Sequence, residues 1–272
     1  MLAPEISTVE FFMASPPRKT VSGGHDCYCV PWKQIPYNNQ TRGGQVPSDF
    51  LWEGRAQPTR GPKPALSLER IADAGIAIAD AEGLAAVTMQ RVAADRGFTK
   101  MSLYRYVAGK GELVALMVER AIGVPPAIDP ADWRAALKQW AHHLLDAYVR
   151  HPWTMEAILG PRAVGPNELS WMECAVSILP STGLTGSERL DAIGVLAGHV
   201  RAIAQQTMVG RQPEADLTAE IAEQLRRHGD RFPALVATMA AAAVDGGHDQ
   251  AFEFGLDRIL DGLDLLVSRR GG

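Results

Sequence analysis

From residue 66 to residue 267 the apolar side chains recur at spacings of three and four, which is the period of an amphipathic α-helix. Runs that alternate apolar and polar residues, the pattern of half-buried strands, are essentially absent. Glycines follow several of the apolar stripes, where helices commonly end. The pattern therefore predicts an all-α chain, with a small N-terminal three-helix unit followed by a larger helical bundle.

Residues 1–64 differ from the rest, because proline and glycine interrupt them so often that no apolar pattern persists. We expect a largely disordered extension here, or a segment that precedes the native start. His25, Cys27 and Cys29 lie close together in this segment, but they supply only a weak zinc pattern with no second pair. We therefore expect no metal site and no cofactor.

Charge and composition exclude several classes of protein. The net charge of −4 over 272 residues is far from that of a bulk nucleic-acid coat protein, and 46% apolar residues provide a sizeable core. Residues 65–122 hold 7 basic and 7 acidic side chains, whereas residues 123–272 hold 13 and 19. Three cysteines make no disulfide framework, and we see neither a secretory signal nor a membrane span. We expect a cytoplasmic protein.

Residues 87–107 carry the pattern on which the functional interpretation depends. Thr88 can cap a first short helix, Gly97 can end it, and Thr99 can cap a second helix that runs to about Val107. Two such helices are typical of a helix-turn-helix, whose second helix enters the major groove of DNA. Plain core packing of two short helices is the alternative.

The exposed face of the second helix would carry side chains that can contact base edges and phosphates. These are Thr99, Lys100, Met101, Ser102, Tyr104 and Arg105.

A longer series of residues surrounds this motif. It comprises Ala72 and Gly75, then Glu82-Gly83-Leu84, Thr88, Val92-Ala93, Gly97, Ser102-Leu103-Tyr104, Lys110 and Leu113. This series, from Leu68 to Met117, resembles the TetR family of bacterial transcriptional regulators. Trp133, which opens the fifth helix, and Phe252-x-Phe254-Gly255-Leu256-x-x-Ile259-x-x-Gly262-Leu263 are similar to the tetracycline-repressor branch. The resemblance covers roughly residues 65–268.

The resemblance implies a DNA-binding domain over residues 65–112 and a ligand-binding and dimerisation domain over residues 113–270. It implies a homodimer that binds a palindromic operator in double-stranded DNA and that a small-molecule inducer releases. Lys100, Met101 and Ser102 match base-facing positions. Tyr104, Lys110 and Thr88 match positions that contact the DNA backbone, and Gln90 replaces a base-reading arginine of the tetracycline repressor.

Each of these assignments has an alternative in which the side chain does not contact DNA. Tyr104 could be a half-buried core tyrosine, and Lys110 could be a solvated surface lysine. Arg55, Arg60 and Lys63, just before the first helix, are either an arm for the minor groove or a solvated linker.

The resemblance places an inducer pocket between the helices of the second domain. Candidate lining residues are Trp140, His143, Leu144, Trp153, Ile158, Arg162, Trp171, Met172 and His199. Each could equally be an ordinary core residue. Ile158 takes the place of the tetracycline repressor's metal-ligating histidine and Trp140 that of its drug-binding asparagine, whereas Arg162 matches an arginine. We therefore expect an apolar or aromatic inducer that binds without metal, and not tetracycline with Mg²⁺.

The family's eighth and tenth helices imply the dimer interface. Here they carry apolar stripes over residues 190–204 and 252–267. Small residues would permit close approach: Gly194, Ala197, Gly198, Ala204, Gly255 and Gly262. Internal packing of one stripe is the alternative. Two rival functions also remain: an all-α enzyme, for which no common catalytic motif is found, and a DNA-binding protein without an inducer.

Overall fold

A computed structural model of the chain describes residues 49–52, 66–160, 162–208, 213–245 and 250–270. All of them belong to one compact unit, Thr41–Gly272. Every regular element within these ranges is a helix, so the predicted all-α fold is confirmed.

Five α-helices lie in the described residues up to Ile122. They are α1 (Asp49–Trp52), α2 (Leu68–Glu82), α3 (Met89–Asp95), α4 (Lys100–Tyr104) and α5 (Lys110–Ile122). Helix α4 ends sooner than the sequence suggested, since Arg105 is its C-cap. Helix α1 falls in the extension for which we expected no regular structure, and the Trp52 Nε1–H donates to the Val164 carbonyl oxygen at 3.2 Å.

Seven helices follow. They are α6 (Trp133–Arg150), α7 (Thr154–Ile158), α8 (Pro166–Ile178), α9 (Gly186–Met208), α10 (Pro213–His228), α11 (Pro233–Asp245) and α12 (Ala251–Ser268). Helices α10 and α11 were not predicted. No residue of the alanine-rich α11 is buried against the described part of the chain.

The helix-turn-helix is α3 and α4, and its local geometry follows from the sequence. Thr88 and Thr99 cap the two helices, because their Oγ1 atoms accept from the Arg91 and Ser102 amides at 3.1 and 3.2 Å. Gly97, between the helices, has φ +70°, a conformation that favours glycine.

Helix α2 packs on both α3 and α5 and so supports the helix-turn-helix. Gly75 permits the close approach of α2 and α5, since a Cβ there would lie 2.6 Å from the Met117 Sδ. Helix α5 then continues into contact with α7 and α8. The domain boundary expected after residue 112 therefore falls inside a single continuous helix.

The larger part is a bundle in which α6 and α12 both pack on α9. Leu196 and Val200 of α9 and Leu256 and Leu260 of α12 are completely buried. No helix in the described ranges is both long enough and apolar enough to cross a membrane.

Candidate functional site

Helix α4 presents the side chains that were assigned to base edges. Met101 is 74% exposed, and the Lys100 Nζ lies 5.7 Å from the centre of the Tyr104 ring, within cation–π distance. Tyr104 is 38% exposed, so it is not a core tyrosine. These three side chains form one exposed cationic and aromatic face.

The hydroxyl groups of the unit have structural partners as well. The Thr99 and Ser102 hydroxyl oxygens lie 2.9 Å apart and share a hydrogen bond, and Ser102 is half-buried. Thr88 accepts a backbone amide, which leaves its own hydroxyl proton available as a donor to a phosphate, whereas the Thr99 hydroxyl is already shared with Ser102.

Three further candidates surround α4. Gln90 and Arg105 are exposed, and the exposed Lys110 at the start of α5 places its Nζ 3.5 Å from the Leu84 carbonyl oxygen. Arg55, Arg60 and Lys63 lie outside the described residues. Arg91, beside Gln90, instead forms an ion pair with Glu82 at the end of α2.

In the body of the protein, the helical bundle from α6 onward, Trp140 and Trp171 come together. Their ring centres are 6.2 Å apart in an edge-to-face arrangement, and both rings are buried. The Trp140 Nε1–H donates to the Trp171 carbonyl oxygen and the Trp171 Nε1–H to the Gly123 carbonyl oxygen, each at 3.0 Å. Trp171 thereby ties α8 to the end of α5.

The other lining candidates have different surroundings. Leu144 is buried and Ile158 is partly buried against the core, whereas Met172 is largely exposed on α8. His143 is half-exposed and has the Gln139 amide nitrogen 3.5 Å from its Nε2.

Arg162 is largely buried and is bound to a carboxylate that was not predicted from the sequence. Its Nη1 and Nη2 donate to the two Glu168 carboxylate oxygens, both at 2.5 Å. Its Nε is buried without a hydrogen-bond partner among the described residues. A paired arginine with one free N–H could receive one acceptor atom of a ligand.

Glu119 of α5 is a buried carboxylate that was also missed. It accepts the Asn167 backbone amide and, at 3.4 Å, the Glu168 amide, so it caps the N-terminus of α8. Burial raises the pKa of the Glu119 carboxyl, and the nearby Glu168 also raises it, whereas the two amide hydrogen bonds and Arg162 oppose the rise.

His199 of α9 packs against α12. Its ring is parallel to that of Phe252, with centres 5.8 Å apart, and its Nε2 lies 2.9 Å from the Phe252 carbonyl oxygen. Gly255 leaves the room for this ring, since a Cβ there would be 2.6 Å from the same Nε2. His199 thus contributes to helix packing.

Trp153 turns its polar edge toward the N-terminal unit. The ring is buried, and its Nε1–H donates to the Asp80 carboxylate of α2 at 2.7 Å. The His151 Nδ1 lies 2.9 Å from the same carboxylate oxygen.

Helices α9 and α12 keep apolar residues on their outer faces. Val195 is 58% and Phe254 is 64% exposed, and Leu190 and Leu265 are also exposed. A Cβ added at Gly194, Gly198 or Gly262 would meet nothing within 4 Å in the described chain. In the parts that the structure describes, no group of three or more His, Cys, Asp or Glu side chains could hold a metal ion.

A capped helix-turn-helix with an exposed basic and aromatic second helix, carried on a helical bundle, defines a DNA-binding regulator. Known proteins agree. The family profile described as tetracyclin repressor-like, C-terminal domain, matches residues 125–267. The HTH-type transcriptional repressor DrrR1 of Streptomyces coeruleorubidus is 39% identical over 236 residues, which are 82% of this chain and 87% of that protein.

Solved structures share the fold. Apo ActR from Streptomyces coelicolor superimposes with a TM-score of 0.64 and 25% identity, over 77% of this chain and 100% of ActR. ActR in complex with actinorhodin gives 0.60 and 28%, over 73% and 95%. The chain belongs to the TetR family of transcriptional regulators, which are DNA-binding proteins and not enzymes.

Proposed function

We propose that this chain is a repressor that binds a palindromic operator as a homodimer and that a small-molecule inducer releases. It would act in the cytoplasm of a bacterium, with α4 of each subunit in a major groove. The observation that carries the proposal is the exposed face of Lys100, Met101 and Tyr104, placed on a helix that Thr99 caps.

The residues of this unit would divide between sequence reading and phosphate binding. Lys100, Met101 and Ser102 would face base edges, with Gln90 and Arg105 beside them. Thr88, Thr99, Tyr104 and Lys110 would contact phosphates, and Arg60 and Lys63 would extend the contact from the segment before α2. Ser102 would have to exchange its hydrogen bond with Thr99 for one with a base.

The outer faces of α9 and α12 support the homodimer. Exposed Val195 and Phe254 would be buried against the same helices of a second subunit, and the open space over Gly194 and Gly262 would admit that subunit's side chains. A twofold arrangement would then produce a four-helix interface. Changing Val195 to Glu should yield monomers in size-exclusion chromatography with light scattering. Changing Val124, which is exposed in the loop before α6, to Glu should leave a dimer.

We propose an apolar or aromatic inducer that needs no metal. Trp140 and Trp171 offer an aromatic core, and Arg162 offers its unpaired Nε–H. ActR, whose fold this chain shares, binds actinorhodin. Residues 113–270 would form the inducer and dimer domain and residues 65–112 the DNA-binding domain, with α5 joining them.

A DNA mobility-shift titration with the region upstream of the protein's own gene tests the proposal. We expect specific binding that weakens steeply with salt. Lys110→Ala should lower the affinity for all duplexes alike and reduce the salt slope by about 0.9, the effect of one lost phosphate contact. Lys100→Ala should alter the preference among duplexes. Arg227→Ala on α10 is the control, and equal effects of Arg227→Ala and Lys110→Ala would contradict the assignment.

A further inference from the structure

The Asp80 carboxylate, in the last turn of α2, receives two hydrogen bonds from a distant part of the chain. The His151 Nδ1 lies 2.9 and 3.1 Å from its two oxygens, and the Trp153 Nε1–H donates to one of them at 2.7 Å. Both donors belong to the turn between α6 and α7. Asp80 of α2 therefore connects the N-terminal unit, helices α2 to α4, with the body of the protein, the bundle from α6 onward.

The turn holds its two donors in fixed positions. The Thr154 amide and hydroxyl both donate to the His151 carbonyl oxygen, at 2.9 and 2.7 Å. The His151 amide donates to the Tyr148 carbonyl oxygen at 3.2 Å. The Trp153 ring is buried in the core. Because the turn is fixed in this way, a shift of α7 carries both donors with it.

Separating the two sides would be costly. If α2 moved without the turn, the buried Trp153 N–H would lose its acceptor, and an unpaired buried donor costs far more than an exposed one. Asp80 itself is fixed by α2, which packs on α3 and α5. The favourable movement is therefore one in which α2 and the turn move together.

We propose that Asp80 is a positioning residue that couples the inducer-binding body to the helix-turn-helix unit through His151 and Trp153. This proposal rests on the proposed function, and it adds the contact through which inducer binding at the body would reach the DNA-binding helices. Trp153, an expected lining residue, would act through its N–H as a transmitter and not only as a wall of the inducer site.

Asp73 provides a matched control for Asp80. It lies on the same helix and also forms an ion pair, but its partner is Arg120 of α5, within the α2–α5 pair. Asp80→Asn and Asp73→Asn remove the same charge with the same change of shape. Only the first variant weakens the connection to the α6–α7 turn.

Amide hydrogen exchange of the full-length protein, without DNA or ligand, tests the connection itself. In Asp80→Asn we expect the amides of residues 151–158 to exchange about tenfold faster than in the wild type, because the lost charge-assisted bonds lower the cost of local opening. Trp153→Phe, which keeps the ring but removes the donor, should act in the same direction. Equal exchange of this segment in Asp80→Asn and Asp73→Asn would overturn the proposal.

The Trp153 indole N–H resonance tests the coupling. Adding the duplex from the protein's own upstream region should shift this resonance in the wild type and in Asp73→Asn. In Asp80→Asn the DNA should still bind while the shift is lost, an outcome that a merely structural role would not produce. A shift that persists in Asp80→Asn would refute the coupling. If no variant binds the duplex, the proposed function fails, and the exchange experiment alone decides whether Asp80 joins the two parts.

Discussion

Changing Gly255 to Ala tests the packing of α9 on α12. The new Cβ would lie 2.6 Å from the His199 Nε2 and 3.0 Å from its Nδ1, closer than carbon and nitrogen atoms pack. The ring cannot move freely, because it is parallel to the Phe252 ring and hydrogen-bonded to that residue's carbonyl oxygen. Overpacking of this kind costs about 1–3 kcal/mol. Loss of the hydrogen bond adds about 1 kcal/mol, and alanine's better helix propensity returns a similar amount.

We therefore expect a net loss of about 1–3 kcal/mol in the free energy of unfolding, measured by urea denaturation at fixed protein concentration. Gly262→Ala, in the same helix, meets nothing within 4 Å in the described chain, and in the monomeric Val195→Glu background it should stabilise the subunit by about 0.5–1 kcal/mol. His199→Ala should remove the clash, so that Gly255→Ala costs much less in that background. If Gly255→Ala matches the wild type in stability, or costs the same with and without His199, the packing described here is wrong.

Three further predictions concern the cap, a buried carboxyl and the inducer. Thr99→Ala should cost about 1 kcal/mol of stability and weaken operator binding, whereas Thr238→Ala on the exposed α11 should change neither; calorimetry and mobility shifts test both. The folded-state pKa of Glu119 is raised, so the wild type should lose stability relative to Glu119→Gln as the pH rises from about 4.5. The pKa of Glu69 is lowered, chiefly by its hydrogen bond with Ser67, so the wild type should lose stability relative to Glu69→Gln as the pH falls below about 4.5. Melting temperatures that follow the same pH dependence in the wild type and in both variants would refute both signs. Micromolar tetracycline with Mg²⁺ should leave the operator complex intact, and its release in a mobility shift would contradict a metal-independent inducer.

The sequence predicted the helix-turn-helix well because its determinants are local. Thr88 and Thr99 cap helices three residues away, and Gly97 lies in the turn between them, so the pattern and the contact coincide. For the same reason the N-caps of α3 and α4 lie where the sequence predicted them. The early end of α4 at Tyr104 was not predicted, because nothing in the run from Arg105 to Val107 marks the end of a helix.

The polar contacts of the body could not be predicted in this way. The Asp80 carboxylate and the His151 ring are 71 residues apart, and Glu119 and Asn167 are 48 apart. Nothing in the sequence marks these side chains as partners, because the tertiary fold brings them together. Glu168 was six residues from Arg162, but no motif marks such a pair across a loop.

Two separate sets of contacts connect the helical bundle to the DNA-binding helices, one through Glu119 of α5 and one through Asp80 of α2. Met117 of α5 packs against Gly75 of α2, and Glu119, two residues further along α5, caps α8. A ligand that displaces α8 must therefore move α5 or break the bonds to Glu119, whereas one that displaces α7 acts on Asp80. Since the two contacts lie on different helices, their effects on inducer response should add if both routes operate. If one route dominates, the double variant Glu119→Gln with Asp80→Asn should respond like the single variant of that route.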